Sequence, residues 1–377
     1  MATLSGVHTI DQTECLDLYK FTCEAGTNTL VLGPAGGGKT AMAQQAATEM
    51  GFPHIYVDLS VLEAPDFVGL PTISTNERGA KVVEYATPKF MPCKDVVDVS
   101  QKPFVLIFDE LDKSRPELQA PLLEIFHERS INGRPLHVHG ILATGNLPDE
   151  GAFSQPISHA LTNRCSVYKM ELNFEAWQPW AVKNSINPLI VGFLSRNPEW
   201  LLKPPPEGDP TAYCHPSPRA WSNSARDLDK AGRRDVDFQT KLVSGRVGTG
   251  AAAKFRVWLD HYRHIEPFVD ALVKDGKHPP DMSIDKLIVC AISACSQIAR
   301  TVNQVDQESK KGSKKDADKV YKVTEHVMKW LATIDTEFQI AAVKNSLDMD
   351  MIRDWGLTKV PGFMEVVNRT RNVIKGK

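Results

Sequence analysis

The fold is decided by residues 28–40, whose sequence is NTLVLGPAGGGKT. The first five residues are an apolar run that predicts a short buried strand of a parallel sheet. The loop after this strand matches G-x-x-x-x-G-K-[ST], and residues 40–50, rich in Ala, Met and Gln, favour a helix. Glycines let consecutive N–H groups face an anion, which the helix N-terminus also attracts. We therefore predict a triphosphate site, with Lys39 on the β- and γ-phosphates and Thr40 on Mg²⁺.

Further apolar runs predict four more strands, and helical segments separate most of them. Because strands alternate with helices over about 170 residues, we expect an α/β fold in which a five-stranded parallel sheet lies between two helix layers. A helix at residues 11–25 is expected before the first strand. The predicted strands are residues 28–32, 54–59, 103–108, 140–143 and 166–172.

Two carboxylates, Asp109 and Glu110, follow the apolar run FVLIF. At the carboxyl end of a buried strand they would face the edge where open α/β sheets bind ligands. We expect Asp109 to hold Mg²⁺ and Glu110 to act as the general base toward water. Asn146 follows another apolar strand and could bond the γ-phosphate or the water. Taken alone, an Asn in that position is more often a turn residue.

Insertions and shifts in composition divide the chain into three predicted parts. Segments at about 72–90 and 130–139 each carry a turn signal, Asn76-Glu77-Arg78-Gly79 and Asn132-Gly133, so each predicts a β-hairpin inserted in the core. From residue 173 the sequence turns toward Trp, Pro and helix formers, and a Pro-rich run follows. The predicted parts are a nucleotide-binding core at 1–172, a helical lid at 173–234 and a C-terminal helical region at 235–377.

Composition narrows the class of protein. The chain has 377 residues with 44 Lys and Arg against 46 Asp and Glu, a net charge of -2, which argues against a nucleic-acid coat or a membrane-surface binder. Its 7 cysteines are scattered without a Cys-x-x-Cys pair, which favours free thiols in a reducing compartment. No apolar run approaches the length of about 20 residues that spans a bilayer, and the first residues lack a signal-peptide pattern. We expect a cytoplasmic protein, in the host cytoplasm if a phage encodes it.

Together these motifs resemble those of the AAA+ ATPases. GPAGGGKT resembles Walker A, FVLIFDE resembles Walker B and ATGN resembles sensor 1. The segment HALTNR, which ends at Arg164, lies where this family carries its arginine finger, and HPSPRA, which contains Arg219, resembles its sensor 2. The segment PDFVG at residues 65–69 and the two hairpins resemble the MoxR-like branch, which carries an insert in helix 2 and a hairpin before sensor 1.

The resemblance implies a AAA+ P-loop NTPase core with a helical lid. It implies an ATPase that converts ATP and water to ADP and phosphate with Mg²⁺ as cofactor. The catalytic residues would be Glu110, Asn146, Arg164 and Arg219, and the metal ligands Thr40 and Asp109. The residues expected at the nucleotide are Gly33, Pro34, Ala35, Gly36, Gly37, Gly38, Lys39, Thr40, Ala41 and Asp109.

The resemblance also implies a homo-oligomer, commonly a hexameric ring. Arg164 would then reach the ATP of the neighbouring subunit, and Arg219 would reach a γ-phosphate in its own or a neighbouring subunit. MoxR-like proteins act as chaperones that remodel partners, often ones with a von Willebrand factor A domain. Arg115 and Arg129 could also lie at the interface, but we expect each to form a surface ion pair with a nearby Glu.

Other functions fit part of this pattern. A DNA-acting motor of the McrB-like or helicase-like kind would keep the ATPase and change the substrate, although the net charge of -2 weighs against it. A nucleotide-gated scaffold that does not hydrolyse ATP is opposed by the presence of Glu110, Asn146 and Arg164. A small-molecule kinase is disfavoured because an Asp-Glu pair at the strand end suits water as the nucleophile. The leading prediction is a motor that remodels a protein.

Overall fold

A parallel six-stranded sheet organises the first of the two units into which the chain divides, and this unit ends at Leu172. The computed structural model describes residues 6–147, 156–204, 213–232, 234–310 and 316–374. The strands of the first unit are β1 (His8–Ile10), β2 (Asn28–Leu32), β3 (His54–Asp58), β4 (Pro71–Thr75), β5 (Lys81–Tyr85), β6 (Phe104–Asp109), β7 (Ser130–Ile131), β8 (Arg134–Pro135), β9 (Val138–Gly145) and β10 (Ser166–Met170). Its helices are α1 (Gln12–Ala25), α2 (Lys39–Glu49), α3 (Ala64–Val68), α4 (Gln119–Glu128) and α5 (His159–Thr162), with 3-10 turns at Leu111–Lys113 and Pro116–Leu118.

The sheet has the strand order β1-β10-β2-β9-β6-β3, and every neighbouring pair is parallel. The five predicted strands are all present, but the expected count of five is wrong because β1 adds a sixth at the edge. This strand escaped the sequence analysis because it has three residues, of which only Ile10 is buried, so it shows no alternating pattern.

Alternate residues of the strands fill two separate cores. Val31 and Ile107 face α1 and α2, in a cluster with Tyr19 and Ala43. The neighbouring strand positions, such as Phe108, point to the opposite side and pack with α4. Because strands in a sheet covered on both faces bury both sets of side chains, they form continuous apolar runs such as FVLIF. The result is the predicted three-layer arrangement of a P-loop NTPase.

Two antiparallel hairpins extend this core in the segments where turn signals occur. The strands β4 and β5 pair with Ile73 opposite Val83, and β7 and β8 flank Asn132 and Gly133, which both have positive φ. The side chains of Ile73 and Val83 are 75% and 62% exposed. The β4–β5 hairpin therefore presents apolar side chains to solvent and does not bury them in either core.

The second unit begins at Asn173 and is helical in the part that the structure describes. Phe193, Trp221 and Phe255 pack together with ring centroids 5.4–6.1 Å apart. This cluster joins the predicted lid to the predicted C-terminal region. The helices are α6 (Phe174–Lys183), α7 (Pro188–Arg196), α8 (Pro218–Ala231), α9 (Val236–Val247), α10 (Thr249–Asp275), α11 (Ile284–Lys310), α12 (Ala317–Leu331), α13 (Thr336–Ser346), α14 (Met349–Asp354) and α15 (Phe363–Ile374), with 3-10 turns at Pro198–Trp200 and Leu357–Lys359.

All 7 cysteines are free thiols, as predicted. Burial raises the pKa of Cys15 and of Cys290 to about 12, so these thiols stay protonated and unreactive at neutral pH. No helix among the described residues is both long enough and apolar enough to cross a membrane.

We expect Gly69→Ala to disrupt the base of the β4–β5 hairpin. Gly69 has a φ of +92°, and a Cβ there would lie 1.8 Å from the carbonyl oxygen of Ala86, so the backbone on the other side of the hairpin must move. Limited proteolysis of the folded protein should cut the variant in this hairpin much faster than the wild type. Gly79→Ala is the matched control, since its φ is +76° but its Cβ would meet nothing within 4 Å. Equal cleavage of the two variants would contradict the steric argument.

Candidate functional site

The predicted phosphate cradle is the glycine-rich loop between β2 and α2. The N–H of Gly33 donates to the carbonyl of Gly145 at 3.2 Å, so the loop leaves the sheet beside the end of β9. Gly36 and Gly38 adopt positive φ values of 74° and 97°. These conformations curve the backbone so that the loop surrounds a concavity. The helix α2 starts at Lys39, so its first N–H groups and its positive dipole end face the same concavity.

Lys39 crosses this loop with a buried side chain. Its Nζ donates to the carbonyls of Gly33 and Pro34 at 2.6 and 2.9 Å and lies 3.4 Å from Oδ1 of Asn146. A phosphate placed in the cradle would offer this ammonium stronger, charged acceptors than the two backbone carbonyls. The contact also joins the loop to the tip of β9, since Asn146 follows directly after that strand.

Asp109, the last residue of β6, gathers three hydroxyl groups. Thr40 Oγ1 donates to its Oδ1 at 2.8 Å, Thr144 Oγ1 donates to the same oxygen, and the hydroxyl of Tyr56 donates to Oδ2 at 3.1 Å. Burial, and then the nearby charge of Asp109, raise the pKa of Tyr56 to about 12, so this phenol remains a donor. The carboxylate is therefore held between the start of α2 and the neighbouring strands.

The oxygen pair of Thr40 and Asp109 fits Mg²⁺. Magnesium usually takes one or two protein oxygens and completes its octahedron with water and substrate phosphates. No cluster of three or more His, Cys, Asp or Glu side chains suited to a metal occurs among the residues that the structure describes, so an all-protein metal cage is not found there. The donors at this site match a metal that arrives with its nucleotide.

Glu110 has an unusual backbone for its residue type. It adopts a positive φ of 55°, and its carboxylate accepts a hydrogen bond from the ammonium of Lys113 at 2.9 Å. This hydrogen bond and the charge of Glu110 raise the pKa of Lys113, so the ammonium keeps its positive charge at neutral pH. Left-handed backbone at a non-glycine residue is uncommon and costs energy, and it turns the Glu110 side chain out of the β6 direction at the edge of the sheet.

Asp112 holds the backbone and the side chain of Asn146 through hydrogen bonds. Its carboxylate is buried and accepts hydrogen bonds from the backbone N–H of Asn146 at 2.9 Å and from Nδ2 at 3.4 Å. With Nδ2 directed to Asp112, Oδ1 of Asn146 is left facing Lys39. The amide orientation therefore follows from its two neighbours, one an acceptor and the other a donor.

Among the predicted site residues, the structure brings Lys39, Thr40, Asp109 and Asn146 to one edge of the sheet, where Lys39 bonds to Asn146 and Thr40 bonds to Asp109. Glu110 follows at the end of β6, where its N–H lies 3.4 Å from Thr144 Oγ1. Sequence reasoning missed Asp112, Lys113, Thr144 and Tyr56. The sequence contained a partial indication of them, because the first three are polar residues within five positions of a motif residue at a strand end.

Arg164 lies at the opposite edge of the sheet. Its carbonyl accepts a hydrogen bond from Asn28, the first residue of β2, whereas the phosphate loop begins after the last residue of that strand. Five residues of extended chain span about 16 Å, which is longer than an arginine side chain. The guanidinium itself folds back and donates to the carbonyl of Ala160 at 2.7 Å. Arg164 therefore does not meet the phosphate loop of its own chain.

The other three arginines singled out in the sequence differ in their exposure and in their hydrogen-bond partners. Arg219 is the second residue of α8 and is exposed, in the second unit of the chain. Arg115 forms the expected surface ion pair, with Glu63 at 3.0 Å. The expected ion pair of Arg129 is wrong. Its guanidinium is half-buried against backbone carbonyls and Asn28, and this burial lowers its pKa.

Comparison with protein families gives one match. The family described as "ATPase family associated with various cellular activities (AAA)" matches residues 29–167, which include the phosphate loop, Asp109, Asn146 and Arg164. No curated protein sequence matches the chain. This part of the chain, residues 29–167, is therefore similar to the AAA family of ATPases.

Solved structures with a similar fold include a candidate ATPase from Cytophaga hutchinsonii, the RuvB Holliday junction branch migration motor of Thermotoga maritima and NtrX from Brucella abortus in complex with ADP. They are 13%, 14% and 12% identical to this chain, with TM-scores of 0.32, 0.33 and 0.36. The similarity covers 97%, 75% and 91% of this chain and 90%, 82% and 65% of the respective structures. Likeness this distant says nothing about the activity of this chain.

We expect Asp112→Ala to destabilise the first unit by about 2 kcal/mol, because the partly buried N–H of Asn146 loses its buried acceptor. Denaturant unfolding of the full chain, followed by proteolysis at sites in the first unit, measures this cost. The matched control is Asp95→Ala. Asp95 also accepts hydrogen bonds, from Arg134, but its side chain is 58% exposed, so water replaces the lost partner and the cost should be much smaller. Similar losses in the two variants would contradict the assigned role of burial.

Proposed function

We propose that this protein hydrolyses ATP at the loop of residues 33–40 and, as an assembly of several copies, uses the reaction to remodel a partner protein. The observation that carries the proposal is the pair of contacts at one edge of the sheet in which Lys39 bonds to Asn146 and Thr40 bonds to Asp109. A loop that is merely flexible would not need an ammonium, a metal-type oxygen pair and a polar strand tip around one concavity. The similarity of residues 29–167 to the AAA family of ATPases supports the same reaction.

In this proposal the backbone of residues 33–41 binds the phosphates, with Ala41 in the first turn of α2. Lys39 exchanges its two loop carbonyls for phosphate oxygens. Thr40 and Asp109 would hold Mg²⁺, which when bound supplies positive charge against the phosphates. Tyr56 and Thr144 keep the Asp109 carboxylate in position through their hydroxyl groups.

Glu110 is the proposed general base, which takes a proton from the attacking water. Its carboxylate is held by Lys113 at 2.9 Å, so that contact must loosen before the carboxylate can reach a water at the γ-phosphate. Asn146 would orient the water or the γ-phosphate, and Asp112 fixes the rotation of its amide. In this proposal Glu110 transfers the proton, whereas Asn146 and Asp112 position the reacting groups.

Arg164 is proposed to act on the nucleotide of a neighbouring subunit. Its distance from its own phosphate loop excludes action within one chain, and its position at the far edge of the sheet suits a head-to-tail ring, commonly a hexamer in proteins with these motifs. The side chain must leave the carbonyl of Ala160 to do this. Arg219 remains a second proposed contact to a γ-phosphate, in its own or a neighbouring subunit.

The client of the proposed motor is a protein. The exposed apolar pair of Ile73 and Val83 on the β4–β5 hairpin supports this, since apolar side chains in water favour a protein surface. The hairpins also support membership of the MoxR-like branch, and with it a client that carries a von Willebrand factor A domain.

Replacing Glu110 by Gln should leave ATP bound and stop its hydrolysis, because the amide keeps the shape of the side chain and cannot accept the proton. We expect turnover to fall by at least about 100-fold with little change in ATP affinity. Phosphate release and equilibrium nucleotide binding measure the two effects. Normal turnover in this variant would contradict the assignment of the base.

Lys39→Ala is the matched control for that experiment. This variant should bind ATP much more weakly, because it lacks the ammonium that is proposed to contact the phosphates. The two variants together separate binding from chemistry, and a client captured by Glu110→Gln in the presence of ATP but not by Lys39→Ala would identify the partner.

Arg164→Ala should keep ATP affinity and lose hydrolysis by about 10³-fold or more, the size expected for an arginine supplied in trans. Mixing it with Lys39→Ala should restore activity, because the second variant offers an intact Arg164 to the intact phosphate loop of the first. At equal amounts and random assembly, about one quarter of the subunit interfaces pair an intact phosphate loop with an intact Arg164, and this fraction sets the expected recovery. Activity that does not recover on mixing would contradict action across an interface.

A further inference from the structure

Asn28 connects three chain segments at the edge of the sheet far from the phosphate loop. It is the first residue of β2, and its Nδ2 donates to the carbonyls of Phe126 and Arg164 at 2.9 and 2.8 Å. Its Oδ1 accepts from the guanidinium of Arg129 at 2.6 Å. One amide therefore ties the end of α4 and the loop before β10 to the first strand of the site.

The chemistry of the three partners fixes which way this amide points. A guanidinium can only donate, and the two backbone carbonyls can only accept. Oδ1 must therefore face Arg129 and both protons of Nδ2 must face the carbonyls. Aspartate has the same shape but no donor, so it could keep the contact to Arg129 but would set carboxylate oxygens against the two carbonyls.

Arg129 holds Asn28 in turn. This residue ends α4 with a positive φ of 53°, and its guanidinium donates to the carbonyls of Ile125 and Phe126. A further contact, at 3.3 Å, goes to the carbonyl of Gly26 at the end of α1. The guanidinium thus caps two helix ends and donates a further N–H to Asn28, so the Asn28 side chain has little freedom.

The loop that carries Arg164 is held by packing of Leu161 and Cys165 against the core and by hydrogen bonds within its own turn. Its backbone is a single turn that follows α5, with Arg164 N–H bonded to the carbonyl of Leu161 at 3.0 Å. The Nε of Arg164 is buried and has no hydrogen-bond partner among the described residues. The bond from Asn28 is the described hydrogen bond that ties the Arg164 carbonyl to the sheet, two residues before β10 begins.

We propose that Asn28 is a positioning residue for Arg164, fixing the peptide from which this guanidinium reaches the nucleotide of the adjoining subunit. The inference rests on the proposed action of Arg164 in trans. Arg129 contributes by holding the Asn28 amide in the orientation that this requires. The group acts on the neighbour's reaction and not on nucleotide binding in its own chain, because β2 separates it from its own phosphate loop.

The test compares Asn28→Asp with Arg164→Ala in the full chain. We expect Asn28→Asp to bind ATP with nearly wild-type affinity and to lose about 10- to 100-fold in kcat, the cost of misplacing a catalytic group by about 1 Å. Mixing Asn28→Asp with Lys39→Ala should restore activity to the level that Arg164→Ala reaches with the same partner. A residue that served only its own fold or its own site would not be rescued by a neighbour.

The matched control is Asn184→Asp, in the second unit. Asn184 also donates its amide to a backbone carbonyl, that of Trp180 at 2.9 Å, so the change removes the same kind of bond and adds the same charge. We expect wild-type kcat for this variant. If Asn28→Asp does not give folded protein, Asn28→Ala, which removes the donor without adding charge, is measured in the same way.

The outcomes distinguish the proposed role of Asn28 from the proposed action of Arg164. If Arg164→Ala is inactive and rescued while Asn28→Asp has wild-type kcat, the role of Asn28 is wrong and the trans arginine stands. If Asn28→Asp is inactive but not rescued, Asn28 acts in its own subunit and the inference is again wrong. If Arg164→Ala itself keeps activity, the proposed action of Arg164 fails and the role of Asn28 fails with it.

Discussion

The structure of the site depends on the parallel pairing of β2, β9 and β6. Leu32 pairs with Gly145, and Ala143 pairs with Phe108, so the three strands end within one or two residues of each other. Parallel strands all end at the same edge of a sheet, and the loops after them must share the space there. This constraint brings together groups that are 34 to 107 residues apart in the chain.

At that edge the charged groups are held by hydrogen-bond partners from the chain itself. Lys39 bonds to backbone carbonyls, and Glu110 pairs with Lys113. Asp109 carries three hydroxyl donors and Asp112 carries the Asn146 amide. Partly buried polar groups need such partners because an unmade hydrogen bond costs more than a made one gains. Nucleotide binding in this site would thus be an exchange of partners around a framework that is already formed.

The strand β2 connects the two features on which the proposed mechanism depends. The phosphate loop follows its last residue, and Asn28 at its first residue bonds to the loop of Arg164. A buried strand paired on both sides is one of the stiffest elements of a fold. In the proposed ring, this strand would keep a fixed distance between the nucleotide of one subunit and the arginine that it offers to the next.

The sequence alone determined the local elements. The phosphate loop, the five longer strands and the two hairpin turns carry short-range patterns of apolar residues and glycines, which depend on neighbours a few residues apart. The edge strand β1 was missed because three residues are too few for such a pattern. Only the tertiary structure decided which side chains support the site, since Tyr56 lies 53 residues from Asp109, and Asn28 lies 101 and 136 residues from Arg129 and Arg164. The partners of a polar side chain are set by which strand ends and helix ends meet in space, and no local pattern records that meeting.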